Sequence, residues 1–257
     1  MKITFLGTGI SPGVPIIGSD HPVCFSKDKK DKRLRSSILI EKNNKKFLID
    51  CSPDFRYQML RNKSNILDAI FITHEHYDHI GGLEDIRPIK RTIPLYGLRR
   101  VINNLKKRFF YIFLKNNYSH LNTFKISLHE IDETCDSFLF EKKYKIFPLL
   151  VWHGSLSIIG FRIENFAYIT DASKIPNSTI YKLKGVKVLV LNILRNQLKK
   201  YIIAISDTIN IINKISPNKT FLTHISPMLG FHDDVEKKLP NNIHLAYDEL
   251  VINTKYI

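Results

Sequence analysis

The sequence predicts an α/β or α+β protein built from two packed β-sheets with helices over their outer faces. Two observations carry that expectation. Short apolar runs bounded by turn residues recur through both halves of the chain, and stretches with helical spacing lie between them. A hydrophobic content of 44% with 11% aromatics supplies a sizeable core, which excludes a disordered chain. One domain over residues 1–257 is expected, because no Gly/Ser-rich linker, low-complexity tract or internal repeat divides the sequence.

The elements follow in order. Residues 3–6 read as a first strand, and 37–41 and 46–50 as a pair joined by the turn-rich 42–45. A helix is expected after Ser52-Pro53-Asp54, with proline near its first turn. Residues 69–73 form an apolar run that ends directly in a histidine cluster, as a buried strand delivering ligands from its C-terminal end would. Gly97-Leu98-Arg99 opens an amphipathic stretch to about Phe113, the longest helix expected in this half. Further strands are expected at 125–131, 143–152, 157–163, 166–170, 186–191, 220–223 and 243–247, with helices at 206–214 and 233–239.

The net charge of +15, from 39 Lys and Arg against 24 Asp and Glu, fits an anionic partner such as RNA, DNA or a phosphorylated small molecule. It fits a solvated basic surface better, because Lys, Ile and Asn recur throughout, as A/T-rich codons would give. Cys24, Cys51 and Cys135 are too few and too widely spaced for a disulfide framework. No apolar run approaches the roughly 18 residues that span a bilayer, and the opening apolar run breaks early at Gly and Pro, unlike a signal peptide. A cytoplasmic protein without a membrane partner is expected.

The segment Thr73-His74-Glu75-His76-Tyr77-Asp78-His79-Ile80-Gly81-Gly82 carries the chemistry. Four potential ligands fall within six residues, and mixed imidazole and carboxylate suits zinc, manganese or iron(II) rather than calcium. In an extended segment His74 and His76 point the same way, and Asp78 and His79 can turn toward a second metal. Such split sets characterise two-metal hydrolases, whose ions sit ~3.5–4 Å apart. Surface histidines in a loop would not explain an apolar strand before the cluster and Gly-Gly after it.

This segment resembles the H-x-H-x-D-H motif of the metallo-β-lactamase superfamily. Phe5-Leu6-Gly7-Thr8-Gly9, Leu48-Ile49-Asp50, Tyr168-Ile169-Thr170-Asp171 and Leu222-Thr223-His224-Ile225-Ser226 are similar to its other landmarks. The sequences GVPIIG, DKRLRSS, LEDIRP and THISPMLGFH resemble the cyclic-phosphate phosphodiesterase branch. The resemblance implies an α+β fold of the αβ/βα four-layer sandwich type, with the site at one edge between its sheets. It implies that His74, His76 and His153 hold one divalent ion, Zn2+ or Mn2+. Asp78, His79 and His224 would hold a second, Asp171 would bridge both, and Asp78 and Asp171 are the residues assigned to catalysis. His153, Asp171 and His224 each end an apolar strand, which agrees.

Two departures from the family stand out. Relatives carry a structural zinc site from an N-terminal cysteine cluster and a late histidine; here only His21 and Cys24 remain, the late position is Pro227, and His232 is the one spare. Structural zinc wants four ligands, so no such site is expected. The family also places histidines after the strand at 186–191, one of which can protonate the leaving group. This chain has Arg195-Asn196-Gln197-Leu198-Lys199-Lys200-Tyr201-Ile202, where Lys199, Lys200 or Tyr201 could substitute. Arg35 and Arg87 are read as phosphate contacts or salt-bridge partners, and Asp50 and Asp54 as supporting or capping groups. His21, His120, His129, His232 and His244 otherwise read as ordinary polar histidines.

The function expected is hydrolysis of a small, cyclic phosphodiester by hydroxide that two metals activate. The alternatives are a tRNA 3′-processing endoribonuclease and a catalytically decayed metal- and RNA-binding protein. Nucleic acid and a second copy of the chain stay open as partners.

Overall fold

The computed structural model describes residues 1–113, 125–194 and 201–257, with the backbone alone for 201–204. The first sheet contains β1 (Lys2–Gly7), β2 (Ser37–Lys42), β3 (Lys45–Ile49), β4 (Ala69–Phe71), β5 (Ile93–Leu98) and β6 (Ile126–Ile131) in sequence order. The second contains β7 (Phe138–Phe140), β8 (Tyr144–His153), β9 (Leu156–Ile163), β10 (Phe166–Ile169), β11 (Val188–Asn192), β12 (Lys219–Thr223) and β13 (Ile243–Leu245). A last strand, β14 (Val251–Asn253), returns to pair with β1.

The two sheets repeat one topology. β1-β2-β3 is an antiparallel meander, and β4, β5 and β6 then add in parallel. Likewise β8-β9-β10 is a meander followed by parallel β11, β12 and β13. Parallel neighbours need crossover connections, and helices supply them. α1 (Phe55–Arg61), α2 (Tyr77–Ile80), α3 (Arg99–Arg108) and α4 (Phe110–Phe113) serve the first sheet. α5 (Asn177–Lys182), α6 (Tyr201–Ile215) and α7 (His232–Glu236) serve the second. The β2–β3 turn is Asn43-Asn44, both in the left-handed region, with Lys42 paired to Lys45 across it. Asparagine tolerates that conformation, and it suits a two-residue hairpin.

Alternation along the strands builds two cores. In β11, Val188 and Val190 enter the core between the sheets while Leu189 and Leu191 enter the one beneath α5 and α6. The inter-sheet core is aromatic at its centre: Phe71 of the first sheet lies 5.4 Å from Phe161 of the second, and Phe47 lies 5.3 Å from Phe140, ring centre to ring centre. Each fully buried ring stabilises the fold by about 1.5–3 kcal/mol.

The sandwich of α+β type matches the expected architecture, while several elements differ. The helix expected to open at Gly97 begins at Arg99 and is divided into α3 and α4. Gly97 and Leu98 instead complete β5, paired with Glu130 and Ile131. Pro94 and Gly97 hid that strand from a pattern reading, since both are poor strand residues. β7, β14 and α5 are also absent from the expected elements; the two strands have 3 residues each and the helix 6, too few for either period to show.

Candidate metal centre

The site forms where both sheets present the ends of their strands. Asp50 directly follows β3, takes a left-handed conformation (φ 62°) and is fully buried. Its carboxylate accepts hydrogen bonds from the Thr73 N–H (2.8 Å), the Thr73 hydroxyl (2.9 Å) and His79 Nδ1 (2.7 Å). This carboxylate thus fixes the start of the histidine segment and sets the His79 proton on Nδ1, leaving Nε2 free to coordinate. Asp171 (φ 58°) and His224 (φ 55°), after β10 and β12, share the left-handed conformation. Non-glycine residues held there are strained, and such strain concentrates at functional sites.

The histidine segment turns sharply into α2, with His76 at its N-cap and Asp78 and His79 in the helix. Close packing requires the glycine at 82: a Cβ there would stand 2.1 Å from the Ser52 carbonyl oxygen and 2.6 Å from Phe55 Cβ. The Cys51 N–H donates to the His79 carbonyl and the Gly82 N–H to that of Cys51, clamping the turn to the end of β3. In the second sheet, Trp152 and the 173–174 segment exchange backbone hydrogen bonds, which brings His153 beside the Asp171 loop.

Asp171 is the hub. Its Oδ1 lies 2.8 Å from His224 Nε2, and its Oδ2 lies 3.2 Å from His79 Nε2 and 3.4 Å from His74 Nε2. Asp78 Oδ2 is 3.1 Å from His79 Nε2 and 3.7 Å from His224 Nε2. Two groups able to hold a cation result: Asp78, His79, Asp171 and His224, and His74, His76 and Asp171. The His153 ring centre lies 5.2 Å from that of His76 and 5.7 Å from that of His74, on the side of the second group. The seven residues expected from the sequence are therefore brought together, with Asp171 common to both groups.

The electrostatics fit divalent cations. Burial opposes charge on every group, yet His224 and His79 hold the Asp171 carboxyl well below its ordinary range, and Asp78 is lowered by the same pair. Burial likewise opposes protonation of His79, but Asp50 and Asp171 outweigh it and raise its pKa well above normal. Asp171 and Asp78 raise His224 to about 9, whereas burial and the nearby His79 push His74 down to about 4. His79 Nε2 and His224 Nε2 are buried without a hydrogen-bond partner of acceptable geometry. Two orphaned imidazole nitrogens aimed at two ionised carboxylates are a donor set that a cation satisfies.

Other residues singled out by the sequence lie elsewhere. Arg35 Nη1 pairs with Asp54 at 3.0 Å and its Nε donates to the Ser11 carbonyl, which is the salt-bridge role. Asp54 occupies the N-cap position of α1 but spends both oxygens on Arg35. Arg87 is exposed. His21 Nδ1 accepts from Val23 N–H, Cys24 is buried, and His232 Nδ1 faces Arg33 Nη2 at 3.0 Å. His129 stacks on Tyr96, and His244 pairs with Glu236. The candidate acid segment at 195–200 and His120 lie outside the described residues, as do the side chains of Tyr201 and Ile202. Sequence reasoning missed Arg100, which donates to the Ser157 carbonyl at 2.6 Å and meets Glu75 at 3.3 Å, between the two histidines of the motif. Nothing in the spacing of a helix 25 residues downstream signals that contact.

A split cluster of imidazoles and carboxylates on the edge of a two-sheet sandwich is a donor arrangement that could hold two cations. Residues 45–225 match the family model described as the β-lactamase superfamily domain, and the chain belongs to that superfamily. Over 265 aligned residues it is 37% identical to the octanoyltransferase of Porphyromonas gingivalis, covering 100% of this chain and 53% of that protein. It is 30% identical to the ribonuclease Z of Methanococcus aeolicus, over 71% of this chain and 50% of that one. The chain thus spans about half the length of these curated relatives. The crystal structure of a protein described as a new diphosphatase from the PhnP family superposes with a TM-score of 0.87 at 34% identity, covering 98% of this chain and 97% of that one. The short form of human tRNase Z shares the fold, with a TM-score of 0.68 at 17% identity over 98% and 99% of the two chains. Among the described residues no helix is long and apolar enough to cross a membrane.

Proposed function

We propose that this chain is a two-metal phosphohydrolase acting at a phosphorus that carries two ester or anhydride links, a small cyclic phosphodiester being the simplest member of that class. One domain over residues 1–257 would carry the activity in the cytoplasm, with Zn2+ or Mn2+ as the ions. The observation that carries the reading is the pair of donor groups sharing Asp171. The 34% identity to a protein described as a diphosphatase supports it. His74, His76 and His153 would hold one ion; Asp78, His79 and His224 the other; Asp171 both. Bound there, two divalent cations supply a nucleophile from water at neutral pH and neutralise charge on the phosphoryl oxygens. The chain's own part is positional: Asp50 fixes His79, and Asp171 sets the two groups side by side.

The purified protein should hold close to two transition-metal ions per chain and cleave bis(p-nitrophenyl) phosphate, with Asp171→Ala losing most of both. No uptake of zinc or manganese would overturn the reading. A second reading, RNA 3′-end processing, is favoured by the ribonuclease Z similarity and by the +15 charge. Cleavage of a tRNA precursor in preference to every small phosphodiester would select it.

A further inference from the structure

One continuous cleft of about 1180 Å³ is lined by His76 and His153 and runs on between the β8–β9 turn and α6. It exceeds the range of roughly 300–1,000 Å³ that holds drug-sized ligands, and is too roomy for a small cyclic phosphate to fill. Its α6 wall presents Asp207, Asn210, Ile211 and Lys214, spaced i, i+3, i+4 and i+7 on one helical face. Lys174 and Ile175, three and four residues after Asp171, line the same cleft. Lys174 and Lys214 are exposed, and among the described residues neither has an ion-pair partner. Among the described residues that line the cleft, Lys174 and Lys214 stand against one carboxylate, Asp207, and this balance favours an anion beyond the one that the donor groups would bind. Ile175, Leu194 and Ile211 add an apolar wall, and Asn210 a paired donor and acceptor.

We propose that the cleft binds a diphosphate-linked nucleotide, with Lys174 and Lys214 on the phosphate remote from the metals and the base against Ile175, Leu194 and Ile211. Lysine acts at phosphate as a mobile point charge, which suits two exposed side chains lining one cleft. This assignment rests on the phosphohydrolase reading above and narrows it to a substrate class. Hydrolysis forms one P–O bond from water and breaks one to the bridging oxygen. The products are two phosphate monoesters, and they take up the two protons of the water.

The test uses the full chain loaded with manganese. For the Lys174→Ala/Lys214→Ala double variant, kcat/KM on ADP-ribose should fall about 30-fold or more, chiefly through KM, since each charge-assisted contact carries roughly 10–100-fold. The loss on bis(p-nitrophenyl) phosphate, which has no second phosphate, should be at least tenfold smaller. Lys106→Ala/Lys107→Ala on the exposed face of α3 should alter neither substrate. Titration calorimetry with ADP reads the same contacts without turnover, and the double variant should bind it at least tenfold more weakly. Equal losses on both substrates, or unchanged ADP affinity, would overturn the assignment. So would an RNA whose binding, in place of ADP's, depends on these lysines. Lysine-dependent ADP binding by a wild type that hydrolyses neither ester would uphold the cleft and sink the phosphohydrolase reading.

Discussion

At Asp50 a single carboxylate joins two segments: it accepts from Thr73, where the histidine run begins, and from His79, where it ends. Asparagine at this position keeps the shape but must present an amide N–H to one of those donors. Asp50→Asn should therefore weaken metal affinity about 10–100-fold, as loss of such outer contacts does, read by competition with a chromophoric chelator. Unchanged affinity would show that the carboxylate does not brace His79. Asp248 has a different role. Burial raises its pKa to about 6, despite the Leu34 N–H, the Thr8 hydroxyl and two arginines that favour its charged form. Its folded pKa lies above the unfolded value of about 3.9, so the native state binds the extra proton. The contribution is fully present below about pH 4 and is lost as pH rises through 6, a change of about 3 kcal/mol. Urea unfolding of wild type and Asp248→Asn should show the difference between them moving against wild type across that window. Both proteins share the metal site, so its own titration cancels.

At the scale of elements, the turn from α2 back onto β3 depends on close approach. Gly82→Ala forces a Cβ to 2.1 Å from the Ser52 carbonyl oxygen, which is backbone and cannot rotate away. We expect a loss of about 1–3 kcal/mol, typical of overpacking, together with reduced metal content, because α2 carries Asp78 and His79. Retention of full metal content would mean that the turn can shift without moving its ligands. The elements also divide by how plainly the sequence announces them. Apolar runs such as those of β8, β9 and β4 are legible because a buried strand concentrates apolar side chains between turn residues. β5 was not, since proline and glycine mask its pairing with β6. The clustering of the proposed ligands was legible because donor chemistry has few substitutes and strand ends are where such groups collect. The lysine-lined cleft was not, because Lys174 and Lys214 are brought together only by packing α6 over the second sheet.

At the scale of the whole molecule, a meander followed by three parallel strands occurs twice, with no internal repeat evident in the sequence. The resemblance lies in backbone path alone: both Asp50 and Asp171 follow the last meander strand in a left-handed conformation. Yet Asp50 braces the proposed ligand His79 through its Nδ1, while Asp171 stands among the proposed ligands themselves. Equivalent places in two halves have thus taken complementary tasks. Of the proposed ligands, His74, His76, Asp78 and His79 follow β4 of the first sheet, while in the second His153 ends β8 and Asp171 and His224 follow β10 and β12.

That division would make the two proposed ions rivets as well as reagents. A cation held by one sheet would tune only its own loop, whereas one gripped from both sides fastens the two halves of the sandwich along their open edge. Each bound ion then stabilises the native state by RT ln(1 + [L]/Kd), roughly 4 kcal/mol at a thousandfold excess over Kd. Chelation should lower the thermal midpoint by several degrees. It should also speed amide exchange at the ends of β4, β10 and β12 together, well before exchange in the aromatic interior changes. Exchange confined to the histidine loop would show the seam to hold without its fasteners.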